Sequence, residues 1–219
     1  MRVYHFVDSI HGLNNLALRR LKVSRINQIN DPFEFLAADL LDSRDREALH
    51  KFKNQLDASV GIVCFSRAWN NPLLWGHYAN KHRGIALGFD VPDDSLFPVI
   101  YTNQRAKIKF DENSRTVVGG KSVVNKLLCT KFSDWVYEEE SRFFVSLDTL
   151  QKEGGLHFLE FSPQLLLKEV IVGLNCEVPL LSIRNLLRED LNLVRVKKAG
   201  LALRAFKVIE DRTARNLDQ

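Results

Sequence analysis

The span Lys131–Val145, KFSDWVYEEESRFFV, places three consecutive glutamates and an arginine at the head of an apolar run. With Ser141–Val145 as a strand, period-two alternation puts Glu138, Glu140 and Arg142 on one face and Ser141, Phe143 and Val145 on the other. Carboxylates so spaced repel. In a cleft they need a cationic partner or a proton, and the pair can then act as a base or hold a developing cation. On a solvated surface the same residues are ordinary ion pairs. A second polar cluster is Trp75-Gly76-His77-Tyr78 with Lys81-His82-Arg83. Leu74, Trp75 and Tyr78 share a helical face that packs on a sheet, and His77 lies off it. His77, His82 and Asp90 suggest a metal site, but two histidines five apart across a helix end lack the one-turn spacing of HExxH. Asn30-Asp31-Pro32-Phe33-Glu34 reads as a helix N-terminus, with Asn30 or Asp31 as cap and Pro32 first inside. The sequence contains no nucleophile elbow, phosphate-binding lysine loop or GxGxxG.

Strands and helices alternate along the chain without linker or repeat. Strands are expected at Arg2–Val7, Leu21–Arg25, Ser59–Phe65 and Gly84–Asp90, then at Pro98–Tyr101, Ala106–Phe110, Arg142–Leu147, His157–Phe161, Glu169–Val172, Val194–Lys197 and Leu203–Ile209. Helices are expected at Asn14–Leu21, from Asp42 or Ser43 through Leu56, from Pro72, at Lys121–Cys129 and at Pro179–Arg188. On the Gly84–Asp90 strand, Ala86, Gly88 and Asp90 form a face of small residues that admits a packed helix or a ligand. The total predicts an α+β domain spanning 1–219, with a mixed, mostly antiparallel sheet, single or as two packed sheets, and flanking helices.

Composition narrows the function classes. The chain has 219 residues, 45% apolar and 26% charged, with a net charge of +4. That charge permits an anionic ligand but is no basic stripe. Cys64, Cys129 and Cys176 lack CxxC spacing, which fits reduced, buried thiols. There is no apolar run of the roughly 18 residues needed to cross a bilayer and no signal-peptide core, so a cytoplasmic protein without a membrane partner is expected.

Tyr4-His5-Phe6, NDPFE at Asn30–Glu34, CFS at Cys64–Ser66, LWGHYANKHRGIALGFD at Leu74–Asp90 and KFSDWVYEEESR at Lys131–Arg142 occur in that order. Together they resemble the bacterial family named domain of unknown function 2971, with a weaker continuation in KEVIVGL at Lys168–Leu174. That family name implies no activity. A further resemblance bears on chemistry. A strand-borne His5 followed by a helix and a short strand, Ser66 at the end of a central strand, and the Glu138-x-Glu140 pair before an apolar strand are similar to ADP-ribosyltransferases. His5 with Ser66 mixes the histidine and serine classes of those enzymes. The resemblance implies NAD as substrate, Glu140 stabilising the ribosyl cation, Glu138 positioning or deprotonating the acceptor, and His5 and Ser66 at the NAD site. It further implies Arg142, Arg83 or Lys131 on the pyrophosphate, Tyr78 or Trp75 on nicotinamide, and a protein or nucleic-acid acceptor, in the manner of toxins or phage-defence effectors. Two other classes compete. One is a metal-dependent phosphodiesterase or nuclease using Asp31, Glu34, His77, His82 or Asp90. The other is a non-catalytic nucleotide- or nucleic-acid-binding module using Arg195, Lys197, Lys198, Arg204 and Lys207.

Overall fold

Capping signals and apolar alternation set most of the element boundaries. The computed structural model describes residues 1–213 except Pro32, Glu34, Leu36, Ala37, Asp39, Arg115 and residues 188–192; residues 214–219 are also outside the description. The expected roles of Pro32 and Glu34, and the helix end at Arg188, therefore fall outside the described residues. The chain opens with β1 (Arg2–Val7), α1 (Ser9–Leu18) and β2 (Arg20–Arg25), followed by α2 (Ser43–Ser59), β3 (Val60–Ser66), α3 (Pro72–Tyr78) and β4 (Ile85–Asp90). The middle holds β5 (Phe97–Pro98), β6 (Ile100–Thr102), β7 (Lys109–Phe110), β8 (Val117–Val118), α4 (Gly120–Leu128) and β9 (Thr130–Phe132). After β10 (Glu140–Ser146) come β11 (Gln151–Glu153), β12 (Leu156–Glu160), β13 (Leu166–Val172), α5 (Leu180–Leu186), β14 (Arg195–Leu201) and β15 (Val208–Glu210).

Several expected elements differ, among them the Ala106–Phe110 strand, of which only β7 forms. α1 starts five residues early because the Asp8 carboxylate caps it, accepting the His11 backbone N–H. The Pro98–Tyr101 strand is split, since Val99 donates to the Glu140 carbonyl before the chain leaves β10 and Ile100 joins β9. Leu203–Ile209 contributes only β15, because the Ala202 N–H bonds the Lys207 carbonyl and closes a hairpin turn.

The fold is α+β. Its main sheet has 11 strands in the order β11-β12-β2-β3-β1-β4-β13-β14-β15, with β10 on β3 and β5 on β10. Every pairing in it is antiparallel except β13 with β14. β6 pairs β9 in parallel and β7 pairs β8 in a hairpin. On β4, Ile85, Leu87 and Phe89 pack in the main core with Leu16 of α1 and Leu180 and Ile183 of α5. Its small-residue face takes α3 instead, with Ala86 against Trp75 and Ala79. A Cβ on Gly88 would stand 2.9 Å from a Tyr4 ring carbon, so glycine there makes room for that ring.

Candidate active site

The main sheet forks at β3. One edge of β3 pairs along its whole length with β10, from Glu140↔Ser66 to Ser146↔Val60. The other edge is shared: β2 takes its start, at Ser24↔Ile62 and Arg25↔Gly61, and β1 takes its end, at Tyr4↔Ser66. Between those contacts β1 and β2 part. The Cys64 carbonyl in the gap is met by His5 Nδ1 at 3.0 Å. A buried carbonyl left without a donor costs roughly 1–3 kcal/mol, so this side chain closes the ladder where the strands separate. Since a carbonyl only accepts, Nδ1 carries the proton and Nε2 remains an acceptor. Burial lowers the His5 pKa and favours the neutral ring, the cost being only partly offset by the Cys64 carbonyl.

A cavity of about 500 Å³, counted out to its open mouth, fills the fork. His5, Ser66, Tyr78, Lys131, Glu138 and Glu140 all line it. Glu138 is not part of the strand, which corrects the alternation expected from the sequence. It ends a 3-10 helix, Ser133–Glu138, and Glu139 turns through the left-handed region at φ 44° before β10 begins. The turn exposes Glu139 and buries both neighbours. A non-glycine residue in that region costs about 1–2 kcal/mol, and the Arg67 N–H helps to hold the turn by bonding the Glu139 carbonyl at 3.1 Å.

The two carboxylates share one cation. Lys131 Nζ donates to Glu138 Oε2 at 2.7 Å and to Glu140 Oε2 at 3.2 Å. Arg142 Nε donates to Glu140 Oε1 at 2.8 Å, and its Nη1 to the Leu128 carbonyl. The Tyr78 hydroxyl donates to Glu138 Oε1 and accepts from Asn30 Nδ2, the latter at 2.9 Å. Burial pushes the Glu138 carboxyl up from its ordinary value, with Lys131 opposing. Burial also acts on Glu140, which lies deeper, but Arg142 and Lys131 outweigh it and hold that carboxyl at about 2. Two acids driven apart in this way suit two roles: Glu140 a permanent anion, Glu138 a group that exchanges a proton. With Lys131 in place, the pair already holds a positive charge between them.

The other expected site residues lie elsewhere or are committed. Trp75 is fully buried, donates its indole N–H to the Trp69 carbonyl at 2.7 Å and stacks on His82; it lies in the core beneath α3. Arg83 is exposed in the turn before β4, away from the cavity lining. Arg142 is 1% exposed and orients Glu140, so its guanidinium does not face the cavity. Ser66 Oγ donates to the Ala68 carbonyl at 2.8 Å and accepts the Ala68 N–H at 3.2 Å, tying the turn after β3. Among the described residues no three His, Cys, Asp or Glu side chains are placed to hold a metal ion. Asp90 pairs with Arg2, Asp31 accepts the Phe33 N–H, and the His77 ring lies near Tyr137. On β14, Arg195 pairs with Glu210, Lys197 with Glu169, and Lys198 donates to the Cys176 carbonyl.

Sequence reasoning passed over Asn30, Cys64 and Tyr101 as parts of the site. Cys64 is two residues before Ser66 on β3 and so shares its face, a signal that was present. Tyr101, whose hydroxyl accepts the Glu140 N–H at 2.8 Å, carries no local signal. Among the described residues no helix is long and apolar enough to cross a membrane. Comparison with protein-family models, curated proteins and solved structures returned no match.

Proposed function

We propose that this chain is an NAD-dependent ADP-ribosyltransferase-like enzyme of the family named domain of unknown function 2971. The reading rests on one observation: His5, Ser66, Glu138 and Glu140, from distant parts of the chain, meet in one cavity at a sheet fork, with the two carboxyls unequal in proton affinity. The bond between ribose C1′ and the nicotinamide nitrogen breaks, its electron pair stays on nitrogen, and positive charge moves to the ribosyl ring. Glu140 stabilises that charge. Lys131 occupies the same position in the resting site, so its ammonium swings away from Glu140 toward the pyrophosphate as NAD binds. The acceptor attacks C1′ and passes its proton to Glu138, whose proton affinity burial raises. His5 Nε2 accepts a hydrogen bond from a ribose hydroxyl, and the Tyr78 ring borders nicotinamide.

Glu140→Gln is the direct substitution for the role given to that carboxylate. Glu140 is buried and bonded to Arg142 and Lys131, so that substitution disturbs an ion cluster and confounds activity with stability. Glu138→Gln is the cleaner probe, because the amide oxygen still accepts from Lys131, the amide NH2 can donate to the Tyr78 hydroxyl oxygen, and the change removes a charge that burial penalises. NAD titration calorimetry and nicotinamide release, with and without cell lysate, test the proposal. Wild type is expected to bind NAD and release nicotinamide. Glu138→Gln is expected to bind NAD and to lose about 10²–10⁴-fold in transfer. Wild type that neither binds NAD nor releases nicotinamide sinks the proposal.

A further inference from the structure

The net charge of +4 conceals a segregation. Between Asn103 and Phe132 seven lysines and arginines stand against two acids, so this segment carries a net +5 and the rest of the chain a net −1. Arg105, Lys107 and Lys109 are exposed, and they alternate with Ala106, Ile108 and Phe110, which turn inward. Ile108 and Phe110 pack against the core around Leu127. The alternation directs the three cations to one side. None of the three has an acidic partner among the described residues, in contrast to Arg195 and Lys197 on β14, which are paired with Glu210 and Glu169.

The row begins at a groove of about 820 Å³, counted out to its open mouth, lined by Arg105, Phe33, Phe132, Thr102, Gln104 and Lys131 among others. The Arg105 guanidinium stands 5.4 Å from the Phe33 ring centre. Phe33 and Phe132 are 56% and 47% exposed, unusual for phenylalanine beside a cluster of charge. Lys131 lines both this groove and the cavity at the fork, and its ammonium bridges Glu138 and Glu140.

Cations at every second residue of an extended segment suit a phosphate chain, and uncovered rings with an arginine alongside suit bases stacked without regard to sequence. A duplex hides its base faces, and an acidic polypeptide leaves the rings unused. We infer that this surface binds a single-stranded nucleic acid and presents one of its bases as the acceptor. This deepens the transferase proposal and rests on it for the chemistry: a base nitrogen attacks C1′, nicotinamide leaves, and the proton of that nitrogen passes to Glu138.

Fluorescence anisotropy of a labelled single-stranded oligonucleotide, titrated with the full chain over about 50–200 mM salt, tests the surface. Binding is expected to weaken with salt. Replacing Arg105, Lys107 and Lys109 together by glutamine should flatten the log–log salt slope by about 2, at roughly 0.7 per phosphate. Phe33→Leu with Phe132→Leu keeps apolar bulk and should weaken binding by about 5-fold or more at an unchanged slope. NAD binding and nicotinamide release to water should remain at wild-type level in both variants. Oligonucleotide binding by a protein that does not bind NAD would support the surface and remove the transferase proposal. The inference is overturned by NAD binding without oligonucleotide binding at low salt, by a wild-type slope in the triple variant, or by a duplex or polyglutamate competing equally well.

Discussion

Two ion clusters lie at opposite ends of one row of residues across the main sheet. Register aligns Glu140, Ser66, Tyr4, Gly88 and Glu169 on β10, β3, β1, β4 and β13. At one end Glu138 and Glu140 meet Lys131 and Arg142, with Tyr78 alongside. At the other end Asp90 and Glu169 meet Arg2 and Lys197, and the Tyr4 hydroxyl donates to Glu169 at 3.1 Å. Each holds two carboxylates, two cations and a tyrosine. The second lies along paired strands nearer solvent, with the Arg2 and Asp90 side chains 33% and 43% exposed. There the Arg2 hydrogen bond lowers Asp90, which remains a plain anion. The first lies where strands part, and burial there raises Glu138 while neighbouring charges hold Glu140 at about 2. The same inventory gives two carboxyls of divergent proton affinity only where the sheet opens and one carboxyl is left less well compensated than the other.

The cations separate the two ends most strongly. Lys131→Met leaves Glu138 and Glu140 buried without their shared ammonium, and stability should fall by about 3–5 kcal/mol. Lys197→Met leaves Glu169 with Arg2 and Tyr4, and the loss should be about 1.5–3 kcal/mol. Urea denaturation of both variants makes the comparison, and equal losses would erase the distinction.

Acid titration comes next in size. The Glu140 carboxyl is depressed from 4.5 to about 2 in the fold, so its contribution to stability is present above pH 4.5 and is lost as pH falls toward 2. The loss should be roughly 3 kcal/mol, at about 1.4 kcal/mol per pH unit. Glu138 has the opposite sign: its raised pKa gives a contribution present below pH 4.5 and lost as pH rises through its folded value. Urea midpoints against pH should therefore show both limbs in wild type and only the acid limb in Glu138→Gln. The smallest effect belongs to the exposed end. Asp90→Asn should change the unfolding free energy from urea denaturation by no more than about 1 kcal/mol and leave NAD titration unaltered, and a larger change would show that the two clusters are coupled through Tyr4.

Local patterns carried much of the architecture. β1, β3 and β10 were legible because Val, Ile and Phe alternate or run together there, and α3 because Asn71 and Pro72 announce its start. The site's components were also visible as residue types in His5, Ser66, Glu138 and Glu140. Their meeting was not. It depends on β1 and β2 sharing one edge of β3, a pairing set by contacts between residues about 35–60 positions apart, for which a single sequence holds no local cue. Trp75 looked equivalent to Tyr78, and Arg83 to Lys131, for the same reason. On a helix and the turn after it, which side chain faces the fork and which faces the core depends on how α3 sits on β4.

By itself the sequence determined which residues could carry acid–base chemistry, since Glu, His and Lys types and the E-x-E spacing are local facts. It also determined that the chain forms an α+β fold with a mostly antiparallel sheet, since periodicity is local too. Tertiary structure alone decided that Lys131 stands between Glu138 and Glu140, that the glutamate pKa values diverge, and that the row of cations begins beside a groove with two exposed phenylalanine rings. Those properties arise from desolvation and from Coulomb interactions between groups distant in the chain, and both depend on where the folded backbone places each charge relative to water.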